Sequence, residues 1–191
     1  HFTPLETLAM LDQNTTAQLK ALLERLEGPI ELVATLDSSD KSDKIKELVT
    51  EIAALSDQVT ARFDGNNKRA PSFGVAKAGE QPRVFFAGLP MGHEFTSLIL
   101  ALLQTSGYAP KVSDEVLASI KDLGIQSDFD VFVSLSCHNC PDVVQALNQF
   151  ALLNDNISNE MIDGGVFQDL INERNIQGVP AVYLNGKPFA N

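Results

Sequence analysis

The chain has two cysteines, Cys137 and Cys140, in the segment "SLSCHNCPDVVQAL" that spans residues 134–147. An apolar pattern typical of a helix begins at this pair, so the cysteines are predicted to lie where a strand turns into a helix. Unpaired N–H groups and the helix dipole favour a thiolate there, and the thiolate is the attacking form of cysteine. We predict that Cys137, at or near the N-cap, is the nucleophile. Cys140, one turn further on, would resolve a mixed disulfide.

A structural cross-link or a metal site could use the same two cysteines. In a reducing compartment, a close cysteine pair is more often catalytic or metal-binding than a permanent cross-link. A closed zinc site needs four ligands, and the chain has no second cysteine pair. His93 and His138 could be recruited, but His138 lies between the cysteines themselves. The sequence therefore favours a redox pair and predicts no metal. Protonated His138 would favour the reduced form and make the pair more oxidising.

A second marker follows in "QGVPAVYLNG", where Pro180 stands at the predicted start of a strand. This segment resembles the loop of the thioredoxin fold that faces the CxxC and contains a cis X–Pro bond. In that fold the backbone of the preceding residue, here Val179, pairs with a segment of the partner. Only about 5–6% of X–Pro bonds in folded proteins are cis, so the prediction for Pro180 depends on the CxxC.

Two successive series of strands and helices are predicted to position these residues. The first comprises helices at 11–27, 38–55, 92–104 and 113–124 and strands at 30–36, 59–63, 72–77 and 83–88. The second comprises strands at 129–135 and 157–163, helices at 140–154 and 166–175, and a hairpin at 181–189 that turns at Asn185-Gly186. The order β-α-β-α-β-β of the second series is thioredoxin-like.

The two series align with each other as repeats. With a shift of 98 positions, Ser39 aligns with Cys137, Ser42 aligns with Cys140, and the apolar residues of the following helices coincide. We interpret this as a tandem duplication in which one redox site was lost. Any two amphipathic helices that follow strands could also be aligned in this way.

The predicted fold class is α/β, with two tandem thioredoxin-like folds packed together and the second redox-active. The predicted divisions are a non-native leader at 1–9 (with no role for His1), a redox-inactive fold at 10–110, a connecting helix at 111–127 and a CxxC fold at 128–191. The second series stops before a counterpart of the helix at 92–104. We therefore expect its last helix to be truncated and more protein to follow.

Composition excludes several classes of function. The net charge of −11 would repel nucleic acid, whose binding needs basic side chains to displace counterions. No apolar run approaches the roughly 20 residues of a membrane helix. Residues 1–9 lack the basic and apolar regions of a secretory signal, so a cytoplasmic location is expected.

Four segments in order, "GHEFTSLILALL", "SLSCHNCPDVVQALN", "IDGG" and "GVPAVYLNGK", resemble the N-terminal domain of the flavoprotein component of alkyl hydroperoxide reductase (the AhpF family). The resemblance covers about residues 10–190. It implies that FAD and NAD(P)H bind to another part of the full-length protein and that this segment binds no cofactor. No GxGxxG follows a strand here. Electrons would pass from the flavin and nicotinamide domains to the CHNC, and then to the disulfide of a peroxiredoxin, the peroxidase component of alkyl hydroperoxide reductase (AhpC).

The resemblance also assigns Glu94, in the redox-inactive fold, as a carboxylate near the dithiol. Thioredoxins carry a buried carboxylate six residues before the first cysteine, where this chain has Val131. A dithiol that exchanges protons near neutral pH gains from a nearby base, and Glu94 could supply it if the two folds pack together. Alternatively, Glu94 is an ordinary acidic residue favoured near a helix start.

The sequence thus predicts a thiol–disulfide oxidoreductase that relays electrons to a peroxiredoxin. A stand-alone protein disulfide oxidoreductase of the glutaredoxin or isomerase type is the alternative. A binding module in which the CxxC is incidental is a third hypothesis.

Overall fold

The structure, a computed structural model, describes residues 10–190. The predicted leader at residues 1–9 lies outside this range. No helix in the described range is long and apolar enough to cross a membrane.

Eight strands form one sheet, with helices on its faces. The strands are β1 (Ile30–Thr35), β2 (Val59–Arg62), β3 (Ser72–Lys77), β4 (Val84–Ala87), β5 (Ser127–Val133), β6 (Ile157–Asp163), β7 (Ala181–Leu184) and β8 (Lys187–Ala190). The helices are α1 (Gln13–Leu23), α2 (Asp40–Ala54), α3 (Phe95–Ser106), α4 (Asp114–Lys121), α5 (Cys140–Leu153) and α6 (Gln168–Glu173), and a 3-10 turn, Gly92–Glu94, precedes α3.

The sheet consists of two half-sheets with the same internal order. Its strand order is β2-β1-β3-β4-β6-β5-β7-β8. We call β1–β4 the N-terminal half-sheet and β5–β8 the C-terminal half-sheet. In each, a central parallel pair is followed by two antiparallel strands. The halves join where β4 pairs in parallel with β6, with Val84 opposite Asn159. The predicted tandem units therefore share one continuous sheet.

A single hydrophobic core crosses this joint. Ile45, Leu48 and Ile52 form the fully buried face of α2, at the spacing that places residues on one side of a helix. Leu98 of α3 and Val144 of α5 are also fully buried, and all five residues belong to one cluster. Because α3 packs against α5, the core of the N-terminal half continues into the CxxC half.

An ion cluster ties the two halves together away from this core. Arg69, in the loop between β2 and β3, donates to both oxygens of Asp130 on β5 at 3.2 and 3.1 Å. It also pairs with Glu160 on β6, whose carboxylate accepts from Asn67 as well. Burial raises the pKa of Glu160 on balance, although the Arg69 charge lowers it. The loop of one half is thus anchored on charged groups of the other.

The start of α2 shows what replaces the cysteines in the N-terminal half. The Asp37 carboxylate accepts from the hydroxyl of Ser42 at 2.7 Å and from the backbone N–H of Ser39 at 2.9 Å. Hydrogen bonds from Ser39 and Ser42 lower the pKa of Asp37. These serines, which align with the cysteines, form a polar helix start. Under that alignment α2 begins two residues earlier than α5.

Several predicted bounds are wrong by a few residues. The predicted first helix ends at Leu23 and continues only as turns, and the helix predicted at 166–175 is confined to Gln168–Glu173. The helix predicted to begin at Gly92 starts as the 3-10 turn, because Gly92 has a positive φ of 57° and the α-helix begins at Phe95.

Candidate active site

Cys137 and Cys140 form a disulfide, with their Cα atoms 5.6 Å apart. The helix begins at Cys140 with Asn139 as its N-cap. Cys140 is therefore the first helical residue, not a residue one turn inside the helix as predicted, and Cys137 lies in the preceding turn. Pro141 follows within the first turn, where a missing N–H does not break the helix.

The two sulfurs lie in different environments. Cys137 is half-buried, whereas Cys140 is fully buried in the core. The backbone N–H of Cys140, one of the N–H groups that a helix start leaves unpaired, donates to Sγ of Cys137 at 3.2 Å. Such donation stabilises a thiolate once the disulfide is reduced. The arrangement suits Cys137 as the accessible nucleophile and Cys140 as the sheltered resolving thiol.

The loop before β7 faces the CxxC. The Val179–Pro180 peptide bond is cis, and the Val179 carbonyl oxygen lies 4.0 Å from Sγ of Cys137. The structure thus brings both residues next to Cys137. The Ala70–Pro71 bond before β3 is also cis. Sequence reasoning missed Pro71, although "RAPSF" precedes β3 much as "GVPAV" leads into β7.

The 3-10 turn of the N-terminal half contacts the CxxC loop directly. The backbone N–H of His93 donates to the Leu135 carbonyl oxygen at 2.9 Å. A Cβ on Gly92 would lie 2.8 Å from the same oxygen, so this close approach needs glycine. The exposed rings of His93 and His138 meet edge to face, with centroids 4.4 Å apart. Both histidines line the entrance to the disulfide.

Glu94 follows His93 in this turn and is fully buried. Its Oε1 accepts from the hydroxyl of Ser97 at 2.7 Å, while its Oε2 has no hydrogen-bond partner among the described residues. Burial raises the pKa of Glu94, although the hydrogen bond from Ser97 lowers it. A protonatable carboxyl group therefore lies in the turn that joins the N-terminal half to the CxxC loop.

Ser97 connects Glu94 to the CxxC helix. Gln145 of α5 donates from Nε2 to Oγ of Ser97 at 3.1 Å. Sequence reasoning missed both residues. The available signal was the hydroxyl of Ser97 inside the otherwise apolar run "SLILALL", because a buried hydroxyl needs a partner. Val131, by contrast, is fully buried on β5 within the apolar core.

The described residues offer no seat for a metal or a dinucleotide. Among residues 10–190, no three His, Cys, Asp or Glu side chains are arranged to bind a metal ion. The turns that lead from β1 to α2 and from β5 to α5 contain no glycine, whereas a pyrophosphate needs a glycine-rich turn at a helix start. FAD and NAD(P)H therefore do not fit the strand-to-helix turns of this chain.

Comparisons with known proteins confirm the predicted fold class and the predicted resemblance. Residues 127–191 match the thioredoxin domain family. The chain is 53% identical to the alkyl hydroperoxide reductase flavoprotein AhpF of Escherichia coli (strain K12) over 94% of its own length and 35% of that protein. It is 50% identical to AhpF of Staphylococcus aureus (strain MRSA252), over 95% of the chain and 35% of that protein. The chain thus spans about a third of the length of these curated relatives.

Solved structures agree with this similarity. The alkylhydroperoxide reductase AhpF (C503A mutant) of Enterococcus faecalis (V583) superposes with a TM-score of 0.85 at 28% identity, over 95% of this chain and 93% of that one. A protein disulfide oxidoreductase from Aeropyrum pernix superposes with a TM-score of 0.78 at 19% identity, over 95% and 88% of the two chains. The second likeness is one of fold alone.

Proposed function

We propose that this chain, which belongs to the N-terminal region of the AhpF family, relays electrons from a flavoprotein disulfide reductase part to the disulfide of a peroxiredoxin. One observation carries the proposal. The accessible sulfur of Cys137 lies between the start of α5 and the Val179–Pro180 loop, within reach of the sulfur of Cys140. This geometry suits exchange of a disulfide between two proteins.

The reaction transfers two electrons in two exchange steps. In the dithiol form, the Cys137 thiolate attacks one sulfur of the partner disulfide, and the other partner sulfur leaves as a thiolate. Cys140 then loses its proton and attacks Sγ of Cys137. The mixed disulfide breaks, the partner leaves as a dithiol, and the Cys137–Cys140 disulfide forms again.

Glu94 is the group that we propose to take the proton of Cys140. Cys140 is buried, which excludes water as a convenient base, and the equivalent position on β5 is the apolar Val131. The raised pKa of Glu94 suits a carboxyl group that must bind and release a proton near neutral pH. Because Glu94 comes from the N-terminal half, that half would complete the active site of the other.

The electrons would come from outside this chain. We propose that FAD and NAD(P)H bind to the remaining two-thirds of the full-length protein, which would reduce the Cys137–Cys140 disulfide in the cytoplasm. The name that the relatives carry supports a role in alkyl hydroperoxide reduction. The partner is then the peroxiredoxin AhpC.

We also propose a division of labour along the chain. The fold at 10–110 would supply Glu94 and the turn that contacts the CxxC loop, and the fold at 128–191 would carry the dithiol. The segment 111–127, which contains α4, would connect them. The continuous sheet and the shared core support this division.

A direct test supplies this chain, pre-reduced, to the oxidised peroxiredoxin and counts the thiols that the partner gains. We expect two partner thiols for each chain oxidised, and none from a Cys137→Ser variant. A Cys140→Ser variant should retain the attack and accumulate the mixed disulfide. If Cys137→Ser transferred electrons as well as the unsubstituted chain, the relay would be wrong and the binding-module hypothesis would be favoured.

The same assay separates the relay from a stand-alone disulfide oxidoreductase. The oxidised chain is offered either glutathione or a thioredoxin-reductase-like flavoprotein with its nicotinamide. Much faster reduction by the flavoprotein is expected. Equal rates would favour the glutaredoxin or isomerase type.

A further inference from the structure

We propose that Gln145 is a positioning residue for the resolving step: through Ser97 it fixes Oε1 of Glu94 as a hydrogen-bond acceptor and leaves Oε2 as the oxygen that takes the proton. This inference rests on the proposed role of Glu94. It adds a residue of the CxxC helix to the proton-transfer machinery, so that both halves hold the carboxyl group.

The contacts form one chain across the joint between the halves. Gln145 lies five residues after Cys140 on α5 and donates to Oγ of Ser97 at 3.1 Å. Ser97, fully buried on α3, donates to Oε1 of Glu94 at 2.7 Å. Oε2 of Glu94 is buried and unpaired within the described residues. The chain therefore ends at a single free oxygen.

The direction of these hydrogen bonds follows from the chemistry of the groups. An ionised carboxylate can only accept, so the one hydroxyl hydrogen of Ser97 must point at Oε1. The Ser97 oxygen is then free to accept, and the amide NH2 of Gln145 is the donor that satisfies it. Each donor polarises the next, which strengthens the bond at the carboxylate.

Oε2 is consequently the more basic oxygen. Hydrogen bonding to the charged form favours that form, and here it acts only on Oε1. A buried polar oxygen without a partner is costly and rare, so an unpaired Oε2 is best explained as a site that binds a proton during turnover. Without Gln145 the Ser97 hydroxyl can rotate away, and Glu94 then holds its proton more tightly.

The test uses this chain in its dithiol form and the small aromatic disulfide 5,5′-dithiobis(2-nitrobenzoate) as substrate. Release of the first coloured thiolate reports attack by Cys137. Release of the second reports the resolving attack by Cys140. The rates of both releases are measured across pH for Gln145→Met, which keeps the length of the side chain but removes its donor.

We expect Gln145→Met to raise the pH midpoint of the second release by a few tenths of a unit. Ser97→Ala, which removes the bond to Glu94 itself, should raise it by about one unit. The first release should keep its profile. Gln149→Met is the matched control, because Gln149 lies on the same helix and makes no side-chain hydrogen bond among the described residues. It should shift neither release.

Two further results would overturn the inference. In a Glu94→Gln background, Gln145→Met should have no added effect on the second release, and an undiminished shift would show that Gln145 acts elsewhere. Unchanged midpoints for both Gln145→Met and Ser97→Ala, in variants that melt like the unsubstituted chain, would refute it while leaving Glu94 in place. If Glu94→Gln itself left the second release unaltered, the proposed role of Glu94 would fail together with this inference.

Discussion

Replacing Arg69 by Met should destabilise the protein far more than replacing any exposed arginine. Arg69 is paired with two carboxylates, Asp130 and Glu160, and the three side chains are only 5–9% exposed. The substitution would leave both carboxylates buried without their cation. Breaking a buried ion pair by removing one partner costs about 3–5 kcal/mol.

Urea denaturation measures this loss, with the disulfide intact in every variant. With a denaturant slope of about 2 kcal/mol per molar, the unfolding midpoint should fall by about 1.5–2.5 M. Arg62→Met is the matched control, because Arg62 is 37% exposed and its partner Asp64 is 69% exposed. An exposed pair of this kind contributes about 1 kcal/mol or less.

The loss should also depend on pH and on the second carboxylate. Burial already raises the pKa of Glu160, so the folded state binds that proton more tightly than the unfolded state. Without Arg69 this difference grows, and the free energy of unfolding of Arg69→Met should recover as the pH falls from 8 towards 5. A second substitution, Glu160→Gln, should restore part of the stability at pH 8. Equal losses for Arg69→Met and Arg62→Met, or no recovery in the double variant, would refute the reasoning.

Three further substitutions probe the turn, the carboxyl group and the core. Gly92→Ala places a methyl group 2.8 Å from a carbonyl oxygen of the CxxC loop and should lower both stability and the rate of electron transfer, whereas Gly79→Ala, which also has a positive φ but nothing within 4 Å, should affect stability alone. Because burial raises the pKa of Glu94, the folded state loses stability as the pH rises, so Glu94→Gln should gain in thermal stability relative to the unsubstituted chain between pH 5 and pH 8; an identical pH dependence would contradict this. Leu98→Ala should cost about 2–5 kcal/mol in urea unfolding because Leu98 is fully buried, whereas Leu123→Ala, at a side chain that is 47% exposed, should cost little; similar losses would show that the core does not cross the joint as described.

The parts of the structure that local patterns determine could be predicted from the sequence. The spacing of Ile45, Leu48 and Ile52 predicts one buried helix face, and the structure has it. The CxxC followed by a helix and a later Val179–Pro180 dipeptide placed the candidate site correctly. These signals depend on residues that are close in the chain or on a familiar motif.

The parts that depend on distant partners could not be predicted. Arg69 lies in the polar run "NNKRAP", which is typical of an exposed turn, yet it is buried because its carboxylate partners lie 61 and 91 residues further along the chain. Likewise, nothing in either repeat specifies that β4 would pair with β6, or that His93 would meet His138. Only the packing of the two halves creates these contacts.

The β4–β6 pairing has a consequence for any attempt to reduce this protein to a minimal catalyst. A chain that began after α3 would leave β6 with a row of open backbone N–H and C=O groups along an apolar strand, which is a template for aggregation. An engineer who wished to excise the cysteine-containing repeat would have to cap that strand with proline or lysine. The same joint also makes independent tumbling of the repeats impossible, so nitroxide labels on β1 and β7 should report one fixed separation.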